Sequence, residues 1–419
     1  MILLTALSLG QQPPSVQPTP EAFLPPVATV RQMQPGMPPA AMPNGAGGAM
    51  PEAPQAEEPK PEDEPWALMR VLKGTTFGNR LDERGISISG WTQGNFTTSN
   101  SNRHGPVAFN DRGDFWQMNQ NFLRIDKAID TSKSEFQWGF RTEWILPGTD
   151  ARFTPARGLL DRQTGDYRID LFQAYGEAFL PNLGPQGTTV RVGKFATHVG
   201  YELVQGAESP FVSRSFLFQY NPFTHTGVWA TTQLNDTWSV SNGVALGSDN
   251  FIDSANRLTY LGQLKWAPKE GKSSLALNAV VTNPRFDAGE AFAYYNVYNA
   301  VFTHNFSDSF TYAADLTFSH IDGVPGTGSA TWYGAANYFI YKVNDQLTST
   351  LRAEVFEDTK GFRTGFRGVY TELTYGVAYA PVRGVIFRPS VRYDHNNSTA
   401  AFGGKRDLFS ATMDVILRW

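Results

Sequence analysis

The histidines are the first place to look for proton-transfer chemistry, and there are six: His104, His198, His225, His304, His320 and His395. None is followed two residues on by serine, the spacing that would set a nucleophile beside its base on one face of a strand. No HExxH, GxSxG or phosphate-cradling glycine loop occurs. No two histidines lie close enough in sequence to form a local metal pair. His225 reads as a hydrogen-bonded structural residue. The chain has no cysteine, which excludes a disulfide scaffold, a thiolate zinc site and a cysteine nucleophile. The acidic pairs Asp111/Asp114 and Asp249/Asp253 are candidates for calcium, though each reads better as ordinary loop carboxylates. No catalytic centre, cofactor or metal is expected.

Charge offers a second chemistry. The segment His198–Pro222 carries Glu202, Glu208 and Arg214 among Phe211, Phe216, Leu217, Phe218 and Tyr220. So aromatic a connection would not float in solvent, and inward packing follows. Arg124, Arg141, Arg352, Arg388 and Arg392 are candidate partners on the surrounding wall. Carboxylates facing guanidiniums across a narrow passage would set up a transverse field that orients polar solutes. The competing arrangement has the arginines pairing locally, with Asp126, Glu143, Glu354 and Asp394, and the two glutamates on an ordinary surface loop.

The elements that must position these residues are strands. In Phe136–Trp144, apolar side chains at 136, 138, 140 and 144 alternate with Gln137, Gly139, Arg141 and Glu143. Leu347–Val355 and Val385–Tyr393 alternate in the same way. Period two is the mark of a strand with one apolar and one polar face. The pattern predicts sixteen strands, near 85–97, 115–128, 133–146, 168–180, 187–197, 223–234, 236–248, 257–267, 272–283, 293–306, 308–321, 330–343, 345–357, 370–381, 383–394 and 407–418. Soluble strands average about 5–6 residues, whereas a tilted strand needs about 9–11 to cross a bilayer. Tight turns at Thr131-Ser132, Asn235, Ser307, Asn344 and Val382 follow even-numbered strands, and the longer loops generally follow odd-numbered ones. That asymmetry belongs to outer-membrane barrels.

Alternation does not say which face is wet. Aromatics near strand ends (Trp91, Trp116, Trp144, Trp238, Trp266, Tyr341, Tyr379, Trp419) read as interfacial girdles. Charged residues at mid-strand, and a C-terminus alternating through Met413, Val415 and Leu417 to Trp419, point the same way. Charged residues make up 18% of the chain, low for a soluble domain, against 13% aromatics and a mean hydropathy of −0.33. No apolar run approaches the length of a membrane helix. The expectation is an all-β, transmembrane antiparallel barrel of about sixteen strands, with its third external loop folded inward.

The first residues are different material. Residues 1–10 (MILLTALSLG) resemble the apolar core of a secretory signal, without a preceding basic residue. Residues 11–65 hold 15 of the 27 prolines and read as a disordered, acidic periplasmic linker. Residues 1–65 carry seven acids and two bases, which leaves 33 bases and 32 acids downstream. The net charge of −4 therefore belongs to the tail, and the rest carries +1. No basic run favours nucleic acid. Residues 66–84 read as a short lead-in helix or turn, and 85–419 as the barrel.

Ser213-Arg-Ser-Phe-Leu-Phe218, followed by Pro222-Phe-Thr-His-Thr-Gly227, resembles the putative beta-barrel porin-2 family of OmpL-like outer-membrane porins. Val192-Gly-Lys-Phe195, Gly200-Tyr-Glu202 and Tyr370–Tyr379 extend the likeness, which covers about 85–419. Trp419 stands where the family usually ends in Phe. The resemblance implies an outer-membrane porin and assigns no pore residue or substrate. Sixteen-stranded porins are commonly trimers, so a homotrimer is the expectation by analogy.

Together these readings point to passive diffusion of small hydrophilic solutes, with weak ion selectivity, through a water-filled lumen narrowed by 198–222. The expected surroundings are membrane lipid and lipopolysaccharide, with the tail in the periplasm. A plugged structural or adhesive barrel, tethered to the cell wall by the tail, is the second reading. A lipid-modifying enzyme is the third.

Overall fold

A computed structural model describes residues 66–252, 258–269, 271–282, 294–324 and 326–419. The signal and linker segments and Asp253 lie outside the described residues. The sixteen strands are β1 Ile86–Ser99, β2 Phe115–Lys127, β3 Gln137–Gly148, β4 Arg168–Leu180, β5 Thr188–Ala196, β6 Thr224–Gln233, β7 Trp238–Ala245 and β8 Thr259–Trp266. They continue as β9 Ser273–Thr282, β10 Tyr294–Asn305, β11 Phe310–Val324, β12 Gly328–Lys342, β13 Leu347–Asp358, β14 Gly368–Val382, β15 Val385–Asn396 and β16 Asp407–Arg418. Each pairs antiparallel with its sequence neighbours, and β1 pairs with β16, so the sheet closes on itself. Closure leaves no strand edge unpaired, the condition for backbone to cross a membrane as strands.

The lead-in is two short helices, α1 Ala67–Leu72 and α2 Thr76–Asp82, broken at Gly74, whose φ of 82° no helix accommodates. Thr75 caps α2 by accepting from Gly78 N. β7 and β8 have eight residues each, shorter than their alternation predicts. Past Ala245 the chain turns at Gly247, φ 116°.

Burial decides which face is which. On β14, Tyr370, Glu372 and Thr374 are buried while Thr371, Leu373 and Tyr375 are exposed. On β16, Ser410, Thr412 and Asp414 are buried while Phe409, Met413 and Leu417 are exposed. The apolar face points outward and the polar face inward, the reverse of a soluble sandwich and the pattern of a barrel in lipid. Trp116, Trp138, Trp238, Tyr341 and Tyr379 are exposed on the outside.

Trp91 corrects the girdle reading. It shares the inner face of β1 with Gln93 and Asn95, is 4% exposed, and stacks on Phe122 at 4.1 Å. Its indole N–H donates to Gln120.

Candidate pore constriction

The connection between β5 and β6 holds the candidate residues. Of residues 198–222, only Glu208 is exposed. Ser215 caps a short helix, α3 Phe216–Tyr220, by accepting from Phe218 N. Hydrogen bonds tie this segment to residues of nine strands: β2, β3, β9, β10, β11, β12, β13, β15 and β16. Aromatic packing adds to them. Phe216, Leu217 and Tyr220 cluster with Tyr338, Phe356, Tyr370 and Phe402, and Phe218 with Phe109 and Phe223.

Many of the polar ties reach the segment's backbone, in two recurring ways. Wall carboxylates accept backbone N–H groups of the segment: Asp315 from Tyr201 at 2.8 Å, and Glu354 from Phe216 and Leu217 at 2.7 Å each. Wall arginines donate to its carbonyls: Arg388 to Gly206 O at 2.9 Å, Arg392 to Arg214 O at 2.6 Å and Arg352 to Ser213 O at 3.1 Å. Gln120 does both, accepting from Gly206 N and donating to Val204 O. Gly206 packs close to Gln93: a Cβ there would lie 1.8 Å from Gln93 Oε1, so a larger residue would have to displace that side chain.

The residues singled out from sequence are placed as follows. Glu202 accepts from Arg352 at 2.5 Å and from Tyr338 OH at 3.1 Å. Glu208 meets Arg124 at 2.8 Å, and Arg124 also binds Glu143 at 2.6 Å. Arg388 pairs with Asp414, and Arg392 with Asp394 at 2.7 Å. Arg214 turns back on its own loop, donating to Phe211 O and Val204 O. Arg141 is not brought to the loop; its partners are Asp126 at 3.5 Å and Glu143 at 4.0 Å. Glu202 and Glu208 thus touch their arginines rather than facing them across a gap. Asp111 is engaged by Arg152 and Arg112, and Asp114 by Thr98.

The register explains the density of charge. Glu354, Glu372 and Asp394 lie directly opposite one another across β13, β14 and β15. One inner-face step away run Arg352, Thr374 and Arg392. Like charges side by side in a sheet destabilise it. Here Arg352 binds Glu372 at 3.0 Å, and the two N–H groups of α3 satisfy Glu354. The competing, local arrangement had set Glu354 among the partners of the arginines, and neither reading named Glu372, Asp315 or Gln120. The alternation put them all on the polar face, but their partners depend on register and on the loop's path.

Among the described residues serine and histidine do meet twice, Ser99 with His104 at 2.8 Å and Ser273 with His304 at 2.7 Å. The other ring nitrogen of His104 faces the Asn110 carbonyl, not a carboxylate, and burial pushes this imidazole below its usual pKa.

The model of the family described as putative beta-barrel porin-2, OmpL-like, matches residues 85–419, the whole barrel. The chain belongs to that family. This outer-membrane porin fold is also similar to the anion-selective porin of Comamonas acidovorans, at 11% identity and TM-score 0.56, over 80% of this chain and 99% of that one. OprB of Pseudomonas putida is similar at 11% identity and TM-score 0.53, over 82% of this chain and 96% of its own. OmpT of Vibrio cholerae, in a trimer form, matches at 13% identity and TM-score 0.50, over 80% and 99%. At such identities the likeness is one of fold. No curated protein sequence matches the porin.

Proposed function

We propose that the porin lets small hydrophilic solutes diffuse passively across the outer membrane, through a lumen narrowed by residues 198–222. The observation that carries this is the inner face itself, polar and charged along strands whose outer face is apolar, with one long segment bonded to it on nine strands. Glu202, Glu208, Arg214, Arg124, Arg352, Arg388 and Arg392 fix that segment, while Arg141 lines the wall beside it. A channel, not an enzyme, is the reading that a porin family and fold support. With +1 on residues 66–419, ion selectivity is weak. The porin assembles as a homotrimer, by analogy with the trimer form of OmpT. Its tail lies in the periplasm, and lipid and lipopolysaccharide surround the barrel.

A second reading is favoured by the buried apolar clusters around Phe216 and Phe218, which bring side chains of the segment against aromatics of the wall. If they close the lumen, the barrel is structural or adhesive, with its tail reaching the cell wall. Single-channel conductance of the refolded full chain, with and without residues 201–219, separates the two. Discrete steps that enlarge on deletion fit the diffusion pore. A folded barrel without steps fits the plug.

A further inference from the structure

Two neighbouring connections are basic and acid-free. Residues 359–367, after β13, hold Lys360, Arg363 and Arg367, and residues 397–406, after β15, hold Lys405 and Arg406; neither contains an aspartate or glutamate. Arg363 points inward and donates to Tyr220 O. The other four are exposed and form no ion pair among the described residues. The two connections brace each other: Thr399 Oγ1 donates to Arg367 O at 3.0 Å, and Val369 N–H to Asn397 Oδ1 at 2.9 Å. Lys405 donates to Asn100 O, and Arg406 to the carbonyls of Asn397 and Ser398, which leaves each with donors for a further acceptor. The nearby acids are engaged. Asp358 accepts from the N–H groups of Phe362, Arg363 and Thr364, Asp407 from Tyr393 while facing His395, and Asp114 from Thr98.

Below these connections, on the outer face of β14, β15, β16 and β1, lies an apolar groove of about 530 Å³. Phe96, Tyr375 and Met413 form its walls, and the smaller Pro389 and Ala411 its floor. Met413 lies opposite both Phe96 and Pro389, and Ala411 opposite Thr98, so the strand register gathers these side chains. Thr98 marks the upper end of the groove, two residues from Asn100, the partner of Lys405. Ala411 is five residues from Arg406. Five residues span about 16 Å along a strand, close to half of a ~30 Å hydrocarbon core, the depth of one leaflet.

We propose that the groove and the basic connections above it hold one molecule of a multiply phosphorylated, multiply acylated lipid of the outer leaflet, the chemical class of lipid A. Its phosphates sit among Arg367, Lys405 and Arg406, and one acyl chain fills the groove over Pro389 and Ala411. Free phosphate would answer the bases and leave the groove empty. A zwitterionic phospholipid would fill the groove and bring an ammonium to the bases. Only an anionic headgroup joined to an acyl chain meets both. The proposal goes beyond solute passage and needs only that the long connections face outward.

The test is native mass spectrometry of the full chain refolded in detergent, with bisphosphorylated lipid A and its equally acylated, dephosphorylated form added together. One bisphosphorylated molecule per barrel is expected, in about tenfold preference and not displaced by inorganic phosphate. Replacing Arg367, Lys405 and Arg406 together by Gln should abolish the preference, and Ala411→Trp, which fills the groove, should weaken both lipids. Compact gel mobility before heating confirms that each variant is folded. Equal retention of the two lipids, displacement by phosphate, or unchanged retention in either folded variant overturns the proposal. If Ala411→Trp dissociates an oligomer and leaves lipid retention unchanged, the groove belongs to a second copy and the site falls. Orientation is read separately, because the chain has no cysteine. Thr327→Cys, on the connection between β11 and β12, should react with an impermeant maleimide on intact cells. Labelling without lipid retention keeps the orientation and removes the site; labelling only after lysis removes both.

Discussion

Arg352 Nη1 donates to Glu202 Oε1 at 2.5 Å, joining the middle of β13 to the connection after β5 across 150 residues of sequence. Both side chains are fully buried, and the same guanidinium holds Glu372. Replacing Arg352 by Met therefore strands two carboxylates at once. A loss of about 3–5 kcal/mol is expected, as for other buried pairs broken on one side. Heat-induced loss of the compact gel mobility of the folded barrel would report it. Adding Glu202→Gln to Arg352→Met should recover part of the loss, and a double variant no more stable than the single would refute the coupling.

Glu354 holds α3 by its two backbone N–H groups. Glu354→Gln leaves one oxygen for two donors and points an amide N–H at one of them. The cost is about 1–3 kcal/mol for a buried unsatisfied group, partly offset by relief of the repulsion from Glu372. The expected outcome is a loosened segment, seen as faster proteolysis within 211–220 and larger, noisier current steps. Unaltered proteolysis and conductance would show that aromatic packing alone fixes it.

Lipid contact is tested from outside. Leu316, at the middle of β11, is 48% exposed, beside the inward Asp315. Leu316→Arg should destabilise the barrel in bilayers by about 2–4 kcal/mol, the penalty for a midplane arginine on a lipid face. On a water-exposed face the same change would stay within about 0.5 kcal/mol. Refolding titrations into vesicles decide between these values.

Asp150, on the connection between β3 and β4, accepts from Asn119 and Gln120. Burial pushes its carboxyl up to about 6, against an ordinary value of 3.8. The folded protein then takes up this proton before the unfolded chain does. Its contribution to stability rises as pH falls from about 6 to about 4 and is absent well above 6. Unfolding midpoints in detergent at pH 7 and pH 5, compared with Asp150→Asn, isolate the effect. Parallel pH slopes in the two proteins would exclude it.

The strands were readable from residue order alone, because period-two alternation follows from the geometry of a single extended chain and needs no partner. Sixteen of them, the long segment 198–222 and the polar face bearing Arg124, Arg141, Arg352, Arg388 and Arg392 were legible for that reason. Which face is wet followed only from the folded barrel, because alternation is the same in a sandwich and a barrel and closure alone assigns inside and outside. The partners followed from the folded barrel as well. Glu354 lies two residues from Arg352, yet it binds the backbone of α3, while Arg352 reaches Glu202 and Glu372. Those contacts depend on the register of β13 against β14 and on where a loop from the opposite wall comes to rest, and neither is encoded within any one strand.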